Sequence, residues 1–237
     1  ALFGEVAEIQ DRVQALREAS RNLKRGIGAL LKVSSLPSIA LDALPGTVAQ
    51  FLRTHPQVKF DLQTIHHEDL LRKLYERETD LAIAYEVPPG AALGHKRLGA
   101  GELVVLYREA DMPGMPARID LGQLAGRPLV SLAASGPMGQ LLTAEVQARG
   151  IALEEVVSAR TFHIATALVR QGVGLTVVDN FTAQASLTPG LAIRPLANPL
   201  RFDVNAIYLQ DRPPTALTTD FLKALEREIA AISALSA

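Results

Sequence analysis

The chain has 237 residues, 48% of them hydrophobic, and its 24 basic and 25 acidic side chains leave a net charge of -1. Such a chain can bury one large or two modest cores, which excludes disorder throughout. The balanced charge supplies no excess of cations for a row of phosphates, so we expect no direct nucleic-acid binding by these residues. The lack of cysteine excludes disulfide scaffolds and thiolate chemistry.

The predicted elements begin with a helix over residues 1–25. Its mostly apolar seam positions recur at alternating spacings of four and three from Leu2 to Leu23, and Gly26 and Gly28 follow where a helix cap is expected. This pattern predicts a helix that pairs with a partner helix between protomers. The alternative is an amphipathic helix packed on its own domain.

Strands and helices then alternate. Residues 29–34, 58–65 and 81–85 have strand patterns, and residues 44–54 and 67–78 have helical spacing between them. This alternation implies right-handed crossovers and a mostly parallel sheet.

The same alternation restarts in the second half. A strand at 103–107 is followed by the proline-rich segment 111–116, where we place a lobe boundary. The later elements are strands at 129–132, 155–159, 173–178, 191–196 and 203–209 and helices at 138–149, 164–171 and 218–235. We predict an α/β molecule in which residues 27–104 and 207–237 form lobe I and residues 105–206 form lobe II. Two crossing strands join the lobes, and the last helix returns to lobe I.

Small polar residues cluster at the carboxyl ends of the predicted strands, where open α/β sheets bind ligands. The candidate binding residues are Ser34, Ser35, Leu36, Ser38 and Glu86 in lobe I and Ser135, Arg160, Thr161, Phe162 and His163 in lobe II. Their hydroxyls and helix-start amides suit an anion. The alternative is that Ser38 and Thr161 only cap their own helices and that Glu86 is a solvated loop residue.

From this set we predict a small, amino-acid-like carboxylate as the ligand. Arg160 or His163 would add a charge-assisted hydrogen bond to its anionic end. Glu86 is the predicted partner of an ammonium group, since a carboxylate in a cleft is costly unless it is paired.

Patterns for other chemistry are weak. Gly172 and Gly174 lack the third glycine of a dinucleotide loop, and the five histidines have no i, i+4 pair. Ser135 precedes Gly136 and Pro137, where an oxyanion hole would need an amide. We therefore expect no cofactor, no metal and no catalysis.

The compartment is predicted from the amino end and from hydropathy. Glu5, Glu8 and Asp11 do not fit a secretory signal, and no run approaches the roughly 18 apolar residues of a membrane span. We expect a soluble, cytoplasmic protein.

Several short motifs, in order, resemble the effector domains of LysR-type transcriptional regulators. They are the strand and serines at 30–38, His55-Pro56-Gln57-Val58, Asp80-Leu81-Ala82-Ile83 and the Val-x-x-Gly-x-Gly turn at 169–174. The initial helix is similar to the family's linker helix. Residues 177–183 and Glu86 are most similar to the branch that senses diaminopimelate and opines.

This resemblance implies two Rossmann-like lobes as in type 2 periplasmic binding proteins, a small-molecule effector in the cleft, and dimers or tetramers. DNA would be bound only through a winged helix-turn-helix that this sequence does not contain. Two alternatives stay open at this stage, a solute-binding protein of an importer and an enzyme on a similar fold. The paired-helix pattern argues against the first, and the lack of a nucleophile with a base argues against the second.

Overall fold

The computed structural model describes residues 28–89, 92–132 and 136–235. The predicted helix at 1–25 and the candidate residue Ser135 lie outside the described residues. In chain order the elements are β1 (Leu30–Ser35), α1 (Pro37–Leu41), α2 (Ala43–Thr54), β2 (Lys59–Thr64), α3 (Leu70–Tyr75), β3 (Leu81–Ala84), β4 (Leu93–Arg108), β5 (Pro128–Ser131), α4 (Pro137–Ala148), β6 (Glu154–Ser158), α5 (Phe162–Arg170), β7 (Thr176–Asp179), α6 (Asn180–Ser186), β8 (Leu191–Pro195), β9 (Arg201–Leu209) and α7 (Ala216–Leu235).

Lobe I is built on three parallel strands with helices between them. Strand β1 lies between β2 and β3, so that Ser35 pairs with Thr64 on one side and with Ile83 on the other. All four residues of β3 are buried, as its unbroken apolar sequence predicts. The carboxyl ends of these strands therefore meet at one edge of the sheet.

Two long strands run through both lobes. Strand β4 pairs with β9 from Leu93 to Glu102 and then with β7 and β8 from Leu103 to Arg108. Strand β9 also pairs with β3, which gives the sheet order β2-β1-β3-β9-β4-β7 with β8 on β4. The two crossing strands expected from the sequence are therefore β4 and β9.

The expectation of a mostly parallel sheet is confirmed for the three strands of lobe I from which it was drawn, but the sheet as a whole is mixed. Among the described strands, β1 pairs in parallel with β2 and β3, and β5 pairs in parallel with β6. The other four pairings, which all include β4 or β9, are antiparallel. The crossing strands enter each lobe from the opposite direction, and the alternation of strands with helices does not reveal this.

Helix α7 closes the core of lobe I, as expected for the last helix. The ring of Phe221 lies edge-on to Phe51, with centroids 5.5 Å apart, and 5.2 Å from the ring of Phe60. Phe221 and Ile229 are fully buried. Burying one such side chain contributes about 1.5–3 kcal/mol to folding. These contacts hold α7 against lobe I.

Candidate functional site

The predicted serines of β1 lie at the buried end of that strand. Ser34 is 1% exposed and Ser35 is fully buried. Neither hydroxyl has a hydrogen-bond partner within the described residues. A buried polar group without a partner costs about 1–3 kcal/mol, so these two hydroxyls are available to bind a ligand.

Ser38 has a different role from its neighbours. Its hydroxyl is 2.5 Å from the hydroxyl of Tyr85. Leu36, not Ser38, is the residue that precedes α1, and no side chain caps that helix. The alternative that Ser38 is a helix cap is therefore wrong, and Ser38 instead supports the tyrosine at the end of β3.

A buried acid lies beside the hydroxyl of Tyr85. The hydroxyls of Ser38 and Tyr85 form a hydrogen bond with each other, and the charge of Asp179 at the end of β7 is close enough to raise the pKa of Tyr85. Asp179 accepts hydrogen bonds from the amide (2.9 Å) and the hydroxyl (2.8 Å) of Thr182. Tyr85 and the start of α6 are therefore neighbours of the same buried carboxylate.

Burial controls the ionisation of both groups. Desolvation raises the pKa of Asp179, and the hydrogen bonds from Thr182 oppose that rise, as does the neighbouring hydroxyl of Tyr85. Desolvation likewise raises the pKa of Tyr85 well above its usual value, and the nearby charge of Asp179 adds to it. Tyr85 is therefore a neutral donor, and Asp179 is an acid that its surroundings do not favour in the charged form.

The crossing strands complete this polar cluster. The amide nitrogen of Asn205 on β9 donates to the carbonyl of Tyr85 (3.0 Å), and the side-chain oxygen of Asn180 accepts from the backbone amide of Glu102 on β4 (3.1 Å). The Nδ2 atom of Asn180 is buried and has no partner among the described residues. The ring of Phe202 lies 4.3 Å from that of Tyr85, which gives the cluster an apolar wall.

The described lobe II candidates occupy a more open position. Arg160, Thr161 and His163 are exposed, and Phe162 is half-buried against the small core of lobe II. Thr161 caps α5 by accepting a hydrogen bond from the amide of Ile164 (3.5 Å), as the alternative reading of this residue proposed. Within the described residues, no hydrogen bond joins Arg160, Thr161 or His163 to the serines of β1.

Glu86 lies at the rim of the site. Its side chain is 62% exposed, and its carboxylate is 3.9 Å from Nε2 of His67. The Nδ1 atom of His67 is buried without a partner among the described residues. Glu86 is thus solvated rather than a buried acid.

Sequence reasoning did not select four buried residues of the cluster, namely Tyr85, Asp179, Asn180 and Asn205. Asp179 and Asn180 directly follow the apolar run of β7, and polar residues at such a strand end are a usable signal. Tyr85 and Asn205 are neighbours because β3 pairs with β9. Local sequence patterns do not predict which strands pair.

Two α/β lobes, joined by crossing strands and meeting over unpaired buried donors, define a small-molecule receptor domain. The family model for the LysR substrate binding domain matches residues 24–230. The chain belongs to this family, and its function is that of an effector-sensing domain in a LysR-type transcriptional regulator. The alternative of an importer's solute-binding protein is not favoured.

Individual relatives agree with this assignment. The HTH-type transcriptional regulator DgcR of Pseudoalteromonas sp is 32% identical over 226 residues, which are 94% of this chain and 77% of DgcR. Among solved structures, the LysR family regulator HinK from Pseudomonas aeruginosa has a TM-score of 0.75 at 18% identity and covers 97% of this chain and 79% of its own. The CcmR regulatory domain of Synechocystis PCC6803, solved in complex with 2-PG, has a TM-score of 0.72 at 16% identity and covers 88% and 100%. These two structures are similar in fold.

None of the helices in the described part of the chain is long and apolar enough to cross a membrane.

Proposed function

We propose that the domain binds a small, amino-acid-like carboxylate where the two lobes meet, with its anionic end at the carboxyl end of β1, on the hydroxyl of Ser35. The observation that carries this proposal is the buried, unpartnered hydroxyl of Ser35. The hydroxyl of Ser34, also unpartnered, lies on the other face of the strand. Hydroxyl donors to a carboxylate form charge-assisted hydrogen bonds, which are about twice as strong as neutral ones. An effector would thus remove the energetic cost that the free protein carries.

The opposite side of the site would come from lobe II. Arg160, Thr161, Phe162 and His163 all stand at the start of α5, and Ser135 precedes α4. Three of these are exposed in the described structure, so they are available to a ligand between the lobes. Binding both lobes would favour one relative arrangement of them, which is how a ligand shifts a conformational equilibrium.

The wider function follows from the family. Ligand-dependent lobe positions would be transmitted to a DNA-binding domain, and DNA contact would belong to that domain, because these residues have no excess of positive charge. Self-association through the helix at 1–25 remains a prediction. We place the protein in the cytoplasm, where a regulator meets DNA, and we expect effectors to be released chemically unchanged.

Calorimetry on the domain tests the site. The best effector is first identified by thermal shift among amino acids, their deaminated acids and other small anions. Ser35→Ala should weaken it by about 10- to 150-fold, the range for a hydrogen bond to a charged group. Ser158→Ala, an exposed serine on β6, is the matched control and should bind normally. Equal affinities of the wild type and Ser35→Ala for the effector would show that it does not bind at the end of β1.

A further inference from the structure

Asp179 is a buried acid without a cation. It is fully buried, and none of the ion pairs formed within the described residues includes it. A carboxylate removed from water is costly unless a cation or a full set of donors stabilises it. Resting on the proposed effector site, we propose that Asp179 selects effectors that carry an ammonium group and binds that group directly.

Helix capping does not explain the charge. Asp179 caps α6 through the amide of Thr182, but serine, threonine and asparagine cap a helix as well as aspartate does. The local structure therefore does not require a negative charge at this position. Desolvation raises the pKa of the Asp179 carboxyl and so disfavours that charge.

The groups around Asp179 are complementary to the rest of an amino acid. Asn180, the next residue, has a buried Nδ2 with no partner among the described residues. This donor suits a carboxylate, and the Tyr85 ring, tilted against that of Phe202, offers an aromatic surface to a cation. An acid, an unpartnered amide and aromatic rings in one cluster fit a zwitterion better than a simple acid.

Asp179 fits this role better than Glu86. The Glu86 side chain is 62% exposed, and an exposed charge pair is screened by water and contributes little. Asp179 is shielded from water, so a cation that reaches it is attracted far more strongly. Asp179 is covered in this structure. An effector can therefore reach it only when the two lobes, which β4 and β9 connect, move apart.

The first test needs no mutation. Wild-type domain is titrated calorimetrically with amino acids and with the matching acids that lack the amino group, such as glutamate with glutarate and alanine with propionate. The amino acid that binds best should exceed its deaminated partner by about 10- to 150-fold. Asp179→Asn, which keeps the cap, should reduce that ratio to near one, whereas Glu86→Gln should leave it within about 3-fold.

Each outcome is decisive. A deaminated acid that binds the wild type as well as its amino acid overturns the role of Asp179, while the proposed carboxylate site stands. An unchanged ratio in a folded Asp179→Asn protein overturns it as well, as does a ratio lost in Glu86→Gln instead. If neither class of compound binds the wild-type domain, the proposed function fails and this inference fails with it.

Discussion

The hydroxyls of Ser38 on α1 and of Tyr85, which directly follows β3, lie 2.5 Å apart and form a buried hydrogen bond. The charge of Asp179, at the end of β7, is close enough to raise the pKa of the same tyrosine. Tyr85 therefore lies between a helix of lobe I and the buried acid of lobe II.

Replacing Tyr85 with phenylalanine should destabilise the domain by about 1–3 kcal/mol, because the buried hydroxyl of Ser38 loses its partner. Urea unfolding measures this. Tyr75→Phe is the control, since Tyr75 is 53% exposed, and it should change stability by no more than about 0.5 kcal/mol. Equal effects of the two substitutions would show that the hydrogen bond between Ser38 and Tyr85 contributes nothing.

The serines of β1 and α1 should respond in opposite directions in the effector-free protein. Ser35→Ala removes a buried hydroxyl without a partner and should leave stability unchanged or raise it by about 1 kcal/mol, whereas Ser38→Ala breaks a hydrogen bond and should lower it by about 1 kcal/mol. Thermal unfolding of both variants without ligand gives the comparison. A large loss of stability in Ser35→Ala would mean that this hydroxyl is bonded in solution.

Asp179 should give the domain a pH dependence of unusual sign. Burial raises its pKa above the usual value of 3.8, so the folded chain holds this proton more tightly than the unfolded chain. The stabilising effect of that proton is present below the unfolded pKa and is lost as pH rises through the folded pKa. The stability of Asp179→Asn relative to wild type should therefore increase as pH rises above the usual value of 3.8. Urea unfolding at a series of pH values above 3.8 tests it, and a constant difference contradicts it.

Gly101 on β4 leaves space for the polar cluster. A Cβ atom there would lie 2.5 Å from the Phe202 ring and 2.6 Å from Oδ1 of Asn180. Gly101→Ala should therefore cost about 1–3 kcal/mol through overpacking and weaken effector binding. Gly46→Ala within α2 is the control, because only the flexible Glu228 side chain is near, and it should stabilise the helix by up to about 1 kcal/mol. Normal effector binding by Gly101→Ala would show that Asn180 is not part of the effector site.

The sequence predicted the elements whose signals are local. The apolar strands ending at Ser35 and Ala84 and helix α7 lie where their patterns indicated. The predicted helix at 67–78 is shorter, because a 3-10 turn over His67–Asp69 precedes α3 and α3 ends at Tyr75.

Features set by distant pairing could not be predicted in this way. The first ten residues of β4 include Gly94, Gly99 and Gly101, which weaken a strand pattern, and their partners on β9 are more than a hundred positions away. Helix α6 has only seven residues and begins directly after a strand, so its periodicity is too short to detect. The cluster around Asp179 depends on both of these elements.

The continuity of β4 also limits where this chain can tolerate insertions and deletions. One uninterrupted strand pairs with β9 up to Glu102 and with β7 from Leu103 onward. Successive side chains of a strand face opposite sides, so inserting or deleting a single codon near this junction would turn the following residues over. Val104 and Val105, which contribute to two different cores, would exchange places. Length variation among homologues should therefore concentrate in the connecting loops and be excluded from the junction at 102–103 of β4, which follows the irregular pairing between Arg97 and Gly99.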